Sequence, residues 1–275
     1  EEATVTVDPP GEAEHVIASV STVASDAANT LRIDVLPNGA GYAISGEIPY
    51  GAPQKYWRSV PHPTKAAAAS VLQLLRLNGI TVTGYAAEHT APPGAVVLWR
   101  HESRPLALIV QRMFFLSDNH VAEELLRAVG WKTTGFGTLA NALGAERQFL
   151  SHHQILHAHS VLADGSGLSA SNKISARMLA GVLGIMARQR LEAPYRLLPR
   201  AGMEGTVGVR DLSPQAKGRI YAKDGYISGA SSIAGFALTA HHGPVIFAFL
   251  ANDWQHGLDA VWDGQDQVLD RLVRY

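Results

Sequence analysis

Residues 115–125 have the sequence FLSDNHVAEEL. Ser117 and Asn119 stand two positions apart, directly before an amphipathic helical pattern. From such a position both polar side chains can leave a loop and enter a cleft. The same tripeptide is also typical of a helix cap, in which Ser or Asn accepts hydrogen bonds from the first-turn amides. The local pattern alone favours the cap, so a functional interpretation depends on the rest of the chain.

The composition indicates a globular protein without a charge bias. The chain has 275 residues, of which 47% are apolar, enough for one large domain or two smaller ones. Its 23 basic and 24 acidic residues give a net charge of -1, so no long-range field favours nucleic acid or an anionic membrane. Cysteine is absent, which excludes disulfides, thiolate metal sites and a cysteine nucleophile. Every apolar run falls short of the roughly 20 residues that span a bilayer, so we expect no transmembrane segment.

The first 57 residues predict a small β module. Alternating patterns predict strands at residues 3–7, 31–35 and 41–49, with turns at residues 9–11 and 37–39. A helix is then predicted to begin with Thr64 as its cap, and an apolar face is expected at Ala67, Val71, Leu74 and Leu75. Residues 95–99 (AVVLW) predict a buried strand.

The remainder predicts a mixed α/β (α+β) region. Helices are expected at residues 106–115 and 121–129, on either side of Ser117, and at residues 139–149 and 175–187. A strand at residues 219–223 should end in a turn at Asp224-Gly225. Strands at residues 231–239 and 245–251, joined by a turn at residues 241–243, would complete an antiparallel meander, and a helix at residues 260–273 closes the chain.

Ser117, Asn119 and Lys223 form the candidate catalytic set. A hydroxyl, an amide and an ammonium around one cleft suit acyl transfer. In that chemistry the Ser relays a proton, the Asn holds a substrate amide and the Lys stabilises negative charge.

Several ordered blocks make the chain similar to a known family. It resembles the class C low-molecular-mass penicillin-binding proteins, the D-alanyl-D-alanine carboxypeptidase/endopeptidase family of the bacterial envelope, over essentially all 275 residues. The blocks that carry the resemblance are Ser117-Asp118-Asn119 with Ala122-Glu123-Glu124-Leu125-Leu126, Asp164-Gly165-Ser166-Gly167-Leu168-Ser169, Gly202-Met203-Glu204-Gly205-Thr206, Ala222-Lys223-Asp224-Gly225 and Gly229-Ala230-Ser231-Ser232-Ile233-Ala234-Gly235.

The resemblance implies a fold, a site and a setting. The fold would be penicillin-binding-protein/β-lactamase-like, with an antiparallel sheet flanked by helices. Residues 1–57 would be part of an inserted β domain, and residues 58–275 a serine D,D-peptidase domain. Ser117 and Asn119 match the Ser-x-Asn motif, while Lys223 and Gly225 match Lys-Thr-Gly and the Tyr226 amide would form half of the oxyanion hole. The expected ligands are peptidoglycan peptides and β-lactams, with no cofactor and no metal, in the periplasm or another extracytoplasmic space.

The family's Ser-x-x-Lys nucleophile motif is missing. None of the six lysines has a serine three positions before it; the residues there are Ala52, His62, Val129, Ala170, Pro214 and Ile220. We therefore expect this chain to lack the nucleophile segment and to be inactive alone. A complementing N-terminal fragment or a partner chain would supply that segment and would cover apolar surface and unpaired strand edges.

A second departure is Asp224, which occupies the Thr position of Lys-Thr-Gly. A threonine hydroxyl donates a hydrogen bond to the terminal carboxylate of D-Ala-D-Ala, whereas an ionised Asp repels that carboxylate. We expect weakened carboxypeptidase turnover and a pairing of Asp224 with Lys223.

Other interpretations stay open. The chain is either a peptidase of this family or a catalytically degenerate homologue that binds peptidoglycan or a partner protein; an esterase or amidase on the same scaffold is a third hypothesis. The histidines at 152, 153, 157 and 159 have a spacing that a metal site would require, although a solvated segment fits them better. Residues 164–169 predict a tight turn in which Asp164 bonds its own backbone.

Overall fold

The computed structural model describes residues 2–8, 15–37, 40–51, 54–60, 62–188, 194–255 and 257–275. The chain divides into two compact units, Glu1–Arg100 and His101–Tyr275. The helix that follows residue 62 therefore belongs to the same unit as the N-terminal sheet, and the assignment of residues 1–57 to an inserted domain stays a prediction. The predicted turn at residues 9–11 and part of the one at residues 37–39 lie outside the described residues.

The first unit contains a three-stranded sheet. Its strands are β1 (Val16–Val23), β2 (Arg32–Val35) and β3 (Tyr42–Pro49), in the order β1-β3-β2, with β1 parallel and β2 antiparallel to β3. The strands predicted at residues 31–35 and 41–49 are confirmed. The strand predicted at residues 3–7 is wrong, because that stretch contributes only the bond from the Ala3 amide to the Val20 carbonyl beside β1. Strand β1 was not predicted, although its sequence VIASVSTV is rich in β-branched residues.

One helix and one extended stretch complete the first unit. Helix α1 (Pro63–Leu77) is confirmed, but His62 rather than Thr64 is its N-cap, and Pro63 opens the first turn. The buried strand predicted at residues 95–99 is wrong, because Val96, Val97 and Leu98 are 80%, 70% and 95% exposed. A β-branched run becomes a buried strand only when another strand pairs with it. No backbone hydrogen bond joins residues 96–98 to another described segment.

The second unit supplies the remaining helices. They are α2 (Leu106–Leu116), α3 (Asn119–Thr134), α4 (Leu139–His152), α5 (Ala176–Arg188) and α6 (Leu258–Arg274). Each coincides with a predicted helix, with ends that differ by a few residues, so the helical periodicity of the sequence is confirmed.

The sheet of the second unit is the predicted antiparallel meander. Its strands are β4 (Ile220–Ile227), β5 (Ala230–Leu238) and β6 (Pro244–Asn252), in that order. The turn predicted at Asp224-Gly225 is wrong: both residues lie within β4 and pair with Ile233 and Ser232 of β5. Asp-Gly is a local turn signal, but the cross-strand ladder continues past it to the turn at Gly229, whose φ is 80°. Asp224 is therefore held in a regular strand.

Helix α6 packs on one face of this sheet and forms the main core with it. The fully buried apolar side chains of this core include Ile220, Ala222, Ile233, Ala237, Leu269 and Val273. Burying each large aliphatic side chain contributes about 1.5–3 kcal/mol. Gly235 permits the close approach of β4 and β5, since a Cβ there would lie 2.0 Å from the Tyr221 carbonyl oxygen. The mixed α+β fold with an antiparallel sheet and flanking helices is thus confirmed. Lys223 lies on a strand of this sheet that is packed against the core.

Candidate active site

Ser117 ends helix α2 in a left-handed backbone conformation. Its φ and ψ are 52° and 48°, at the C-cap position, which glycine normally occupies. A residue with a Cβ pays about 1–2 kcal/mol for this conformation. Among the described non-glycine residues, only Gln154 and Asp253 share a positive φ. A strained serine within the predicted site is the kind of outlier that motivates a functional hypothesis.

Asp118, and not Ser117 or Asn119, caps helix α3. The Asp118 Oδ1 atom accepts a hydrogen bond from the Val121 amide at 3.0 Å. The cap by Ser or Asn, which the local pattern favoured, is therefore wrong. Within the described residues, neither the Ser117 nor the Asn119 side chain makes a hydrogen bond, and Asn119 is exposed. Both side chains remain available for other contacts.

Gly205 brings the loop of residues 202–206 against the end of helix α2. Its φ is 63°, and a Cβ there would lie 2.7 Å from the Pro199 Cβ and 3.1 Å from the Phe115 carbonyl oxygen. Only glycine fits this position without displacing backbone. Phe115 stands two residues before Ser117, so the loop adjoins the Ser117 segment.

An ion pair joins Glu204 of the same loop to Arg200, which lies just before it. The Arg200 guanidinium donates to the two carboxylate oxygens of Glu204, with Nε–Oε1 at 2.9 Å and Nη2–Oε2 at 3.0 Å. The hydrogen bond from Arg200 lowers the pKa of the Glu204 carboxyl. This bidentate pair fixes the loop's shape but is partly exposed, so its contribution to stability is small.

Thr206 connects this loop to the strand that carries Lys223. The Thr206 hydroxyl donates a hydrogen bond to the Asp224 Oδ1 atom at 2.5 Å. The Lys223 Nζ atom lies 2.9 Å from the same Oδ1, 2.6 Å from the Asp224 carbonyl oxygen and 3.4 Å from the Thr206 hydroxyl. The expected pairing of Lys223 with Asp224 is therefore present.

Asp224 is held in its ionised form by these neighbours. Burial raises the pKa of the Asp224 carboxyl, but the hydrogen bond from Thr206 and the charge of Lys223 outweigh burial, so its pKa lies below the ordinary value. The side chain is 23% exposed. Its negative charge consequently persists throughout the neutral range.

Arg210 anchors the 3₁₀ turn Thr206–Val209 to helix α6. The buried Arg210 side chain pairs with the buried Asp266 carboxylate, at 2.7 Å from Nη2 and 2.8 Å from Nε to Oδ1. It also donates to the Gln265 side-chain oxygen at 2.9 Å and to the Trp262 carbonyl oxygen at 3.3 Å. Burial raises the pKa of the Asp266 carboxyl, against the lowering by Arg210. The backbone that presents Thr206 is thereby fixed from inside the core.

The other two predicted substrate-binding residues lie farther along β4. Gly225 and Tyr226 are both exposed, and the Tyr226 ring centroid lies 6.4 Å from that of Trp254. A Cβ at Gly225 would lie 2.8 Å from the Ser232 hydroxyl oxygen on β5.

The predicted residues thus fall into two groups with a bridge between them. No hydrogen bond joins Ser117 or Asn119 to Lys223 or Asp224 among the described residues. The connection runs from Phe115 through Gly205 and Thr206 to the strand. Thr206 was not predicted as a site residue, although it ends one of the sequence blocks that carry the family resemblance.

The Asp164 turn borders this region and is structural, as predicted. Asp164 accepts from the Gly167 and Ser169 amides at 2.8 Å and 2.6 Å. Glu123 on α3 accepts from the amides of Gly165 and Ser166, at 3.0 Å and 2.9 Å. The turn is therefore fastened to the helix that begins with Asn119.

Of the four histidines considered as a metal site, His152 and His153 lie at the end of helix α4, and His157 and His159 lie in the loop that follows. His152 and His153 lie edge to face at the end of α4, with ring centroids 5.2 Å apart. His157 is hydrogen-bonded through Nδ1 to the Ser175 hydroxyl at 2.9 Å. Within the described ranges, no group of three or more His, Asp or Glu side chains is arranged to hold a metal ion. Among the residues that the structure describes, no helix is both long enough and apolar enough to cross a bilayer.

Comparison with known proteins gives a consistent family. The chain is 32% identical over 268 residues to a D-alanyl-D-alanine carboxypeptidase of Actinomadura sp. (strain R39), across 92% of this chain and 48% of that protein. It is 32% identical over 206 residues to the carboxypeptidase DacB of Haemophilus influenzae, across 70% of this chain and 42% of that protein. The chain spans about half the length of these curated relatives.

The fold is also that of a solved relative. The crystal structure of penicillin binding protein 4 from Haemophilus influenzae, in complex with a novel β-lactam, matches 97% of this chain and 65% of its own, with a TM-score of 0.76 and 26% identity. The family model described as D-Ala-D-Ala carboxypeptidase 3 (S13) matches residues 1–274. The chain therefore belongs to the D-Ala-D-Ala carboxypeptidase 3 (S13) family.

Proposed function

We propose that this chain is the C-terminal portion of a penicillin-binding serine D,D-peptidase that acts on peptidoglycan stem peptides outside the cytoplasm. The observation that supports the proposal is the contact series from Phe115 through Gly205 and Thr206 to Lys223, which connects the segment before Ser117 with the strand that carries Lys223. The relatives named D-alanyl-D-alanine carboxypeptidase support the reaction class.

The proposed reaction is acyl transfer through an ester. A serine oxygen from outside this chain bonds to the carbonyl carbon of the penultimate D-Ala, and the peptide C–N bond breaks. The proton of that serine passes through Ser117 to the leaving amine. Water then hydrolyses the ester and restores the serine hydroxyl.

The residues of this chain have separate roles in that reaction. Asn119 holds the amide of the substrate's acyl part, and Lys223 stabilises negative charge in the cleft. Gly225 allows the substrate backbone to approach β4, while the Tyr226 amide donates to the oxyanion.

The nucleophile is proposed to come from a complementing segment, because the chain has no Ser-x-x-Lys. Strand β6 supports this proposal. Its sequence PVIFAFLAN is apolar on both faces, as in a central strand, yet its outer edge has no strand partner among the described residues. A long apolar edge of this kind favours pairing with another strand. The exposed apolar residues 96–98 offer a second unpaired stretch in the first unit.

Labelling with a fluorescent penicillin tests this function. The chain alone should stay unlabelled, whereas the chain co-expressed with an N-terminal polypeptide carrying Ser-x-x-Lys should yield an adduct on the added polypeptide, located by intact mass. Lys223→Ala should reduce the labelling rate of that complex at least tenfold, since it removes the ammonium and leaves the Asp224 carboxylate without its counter-ion. Lys132→Ala, at an exposed position on α3, is the matched control and should leave the rate unchanged.

Two outcomes would contradict the proposal. An adduct on the 275-residue chain alone would place the nucleophile inside it. A stable complex that forms but is neither labelled nor active on D-Ala-D-Ala peptides or their carboxamides would favour the second candidate, a degenerate homologue that binds peptidoglycan. The engagement of Lys223 by Asp224 is the observation that favours that candidate. Co-sedimentation of the unlabelled complex with purified peptidoglycan would then identify it.

A further inference from the structure

Lys223 is already fully engaged by its own chain. An ammonium group has three hydrogens to donate. The Lys223 Nζ atom has three acceptors within 3.4 Å, namely the Asp224 Oδ1, the Asp224 carbonyl oxygen and the Thr206 hydroxyl oxygen. Its charge is compensated at 2.9 Å by the Asp224 carboxylate. A substrate carboxylate would have to compete with Asp224 for this cation.

Two arginines that flank the neighbouring loop are already paired. The Arg200 guanidinium group is paired with both carboxylate oxygens of Glu204. Arg210 is paired with Asp266 inside the core and is buried. These three ion pairs therefore contribute no net positive charge beside this part of β4.

Asp224 keeps one oxygen for a ligand. Its Oδ1 atom accepts from both Thr206 and Lys223, whereas its Oδ2 atom has no hydrogen-bond partner among the described residues. A carboxylate oxygen only accepts hydrogen bonds. A group that meets Oδ2 must therefore donate an N–H or O–H, which a free carboxylate does not do.

We infer that Asp224, positioned by Thr206, makes this site select peptides whose C-terminal carboxylate is replaced by a carboxamide. The inference rests on the proposed function and specifies its substrate class. The carboxamide presents an N–H to Asp224 and carries no charge, so it avoids the repulsion that a terminal carboxylate meets there. Asp224 is the specificity-determining residue, and Thr206 is a positioning residue that acts through it.

Two matched peptides test the inference on the complemented protein. Diacetyl-L-Lys-D-Ala-D-Ala and its C-terminal carboxamide differ only in the terminal group, and kcat/KM is measured for each by release of D-Ala or D-alaninamide. The wild type should prefer the carboxamide by about tenfold or more in kcat/KM. Asp224→Thr should shift the ratio of the two kcat/KM values by roughly 100-fold, so that the free acid becomes the preferred substrate. The ratio within one preparation does not depend on the fraction of active protein. Equal ratios for wild type and Asp224→Thr would overturn the inference.

Thr206 variants separate positioning from a general structural role. Thr206→Val keeps the shape but removes the hydroxyl donor, and it should move the amide-to-acid ratio about three- to tenfold towards the acid. Thr206→Ser should restore the wild-type ratio. A Thr206→Val variant that loses activity equally on both peptides would overturn the positioning role.

Equilibrium binding to the chain distinguishes this inference from the proposed function. Saturation-transfer NMR with the same two peptides needs no nucleophile. Preferential binding of the carboxamide without turnover or penicillin labelling would uphold the specificity and refute the enzymatic role. Turnover with a preference for the free acid would uphold the enzymatic role and refute the specificity.

Discussion

Replacement of Arg210 by Met should destabilise the second unit strongly. The Arg210 side chain is 2% exposed and its partner Asp266 is 9% exposed, so the substitution leaves a buried carboxylate without its counter-ion. The Gln265 oxygen and the Trp262 carbonyl also lose a donor. Removing one member of a buried ion pair lowers the free energy of unfolding by about 3–5 kcal/mol.

A double-mutant cycle isolates the pairing from the general effect of substitution. Asp266→Leu should cost a similar amount, because Arg210 is then buried without a carboxylate. The double variant Arg210→Met/Asp266→Leu should be less destabilised than the sum of the two single variants by at least about 2 kcal/mol, since neither charge remains buried. The free energy of unfolding of Arg210→Lys should lie between those of the wild type and Arg210→Met, because an ammonium replaces only part of the guanidinium's hydrogen bonding.

Hydrogen exchange of the helix α6 amides, residues Leu258–Arg274, is the appropriate measurement. It reports the opening of the second unit even if the two units unfold separately. Urea unfolding followed by far-UV circular dichroism provides the matching global value. Additive single-variant effects would refute the reasoning, since they would mean that the two side chains are not energetically coupled.

Three further predictions follow from the site. Ser117→Gly should raise the free energy of unfolding by about 0.5–1 kcal/mol by relieving the left-handed strain, whereas Ser117→Ala should not; equal melting temperatures for the two would contradict the strain. Glu123→Ala should cost about 1–3 kcal/mol and deprotect the Gly165 and Ser166 amides in hydrogen exchange, while Glu124→Ala, at an exposed position, should change little. The pKa of Asp224 is lower in the folded chain, so its stabilising contribution is present above the ordinary value of 3.8 and is lost as the pH falls through the folded value. Wild type should therefore lose more stability than Asp224→Asn between about pH 5 and about pH 2 in urea titrations, and parallel losses would refute the shift.

Local patterns in the sequence were sufficient for the helices and the meander of the second unit. The periods of about 3.6 and 2 residues that bury one face are properties of a short window, so α2 to α6 and β4 to β6 were predictable. The family could also be inferred, because the order of several short blocks survives in the linear sequence. The absence of Ser-x-x-Lys and the presence of Asp224 after Lys223 are likewise visible without a structure.

The tertiary structure decided the features that depend on distant partners. Residues 96–98 have the composition of a strand but have no strand beside them, and the Asp224-Gly225 turn signal yields to the ladder with β5. The helix cap at Asp118 was chosen by backbone geometry among three capable neighbours. Thr206 reaches Asp224 only because Gly205 lets its loop fit against Phe115. Sequence motifs thus identified the candidate site residues and the pairing of Lys223 with its neighbour Asp224. Long-range packing determined that Thr206 joins this pair, because that contact requires segments far apart in the chain to meet.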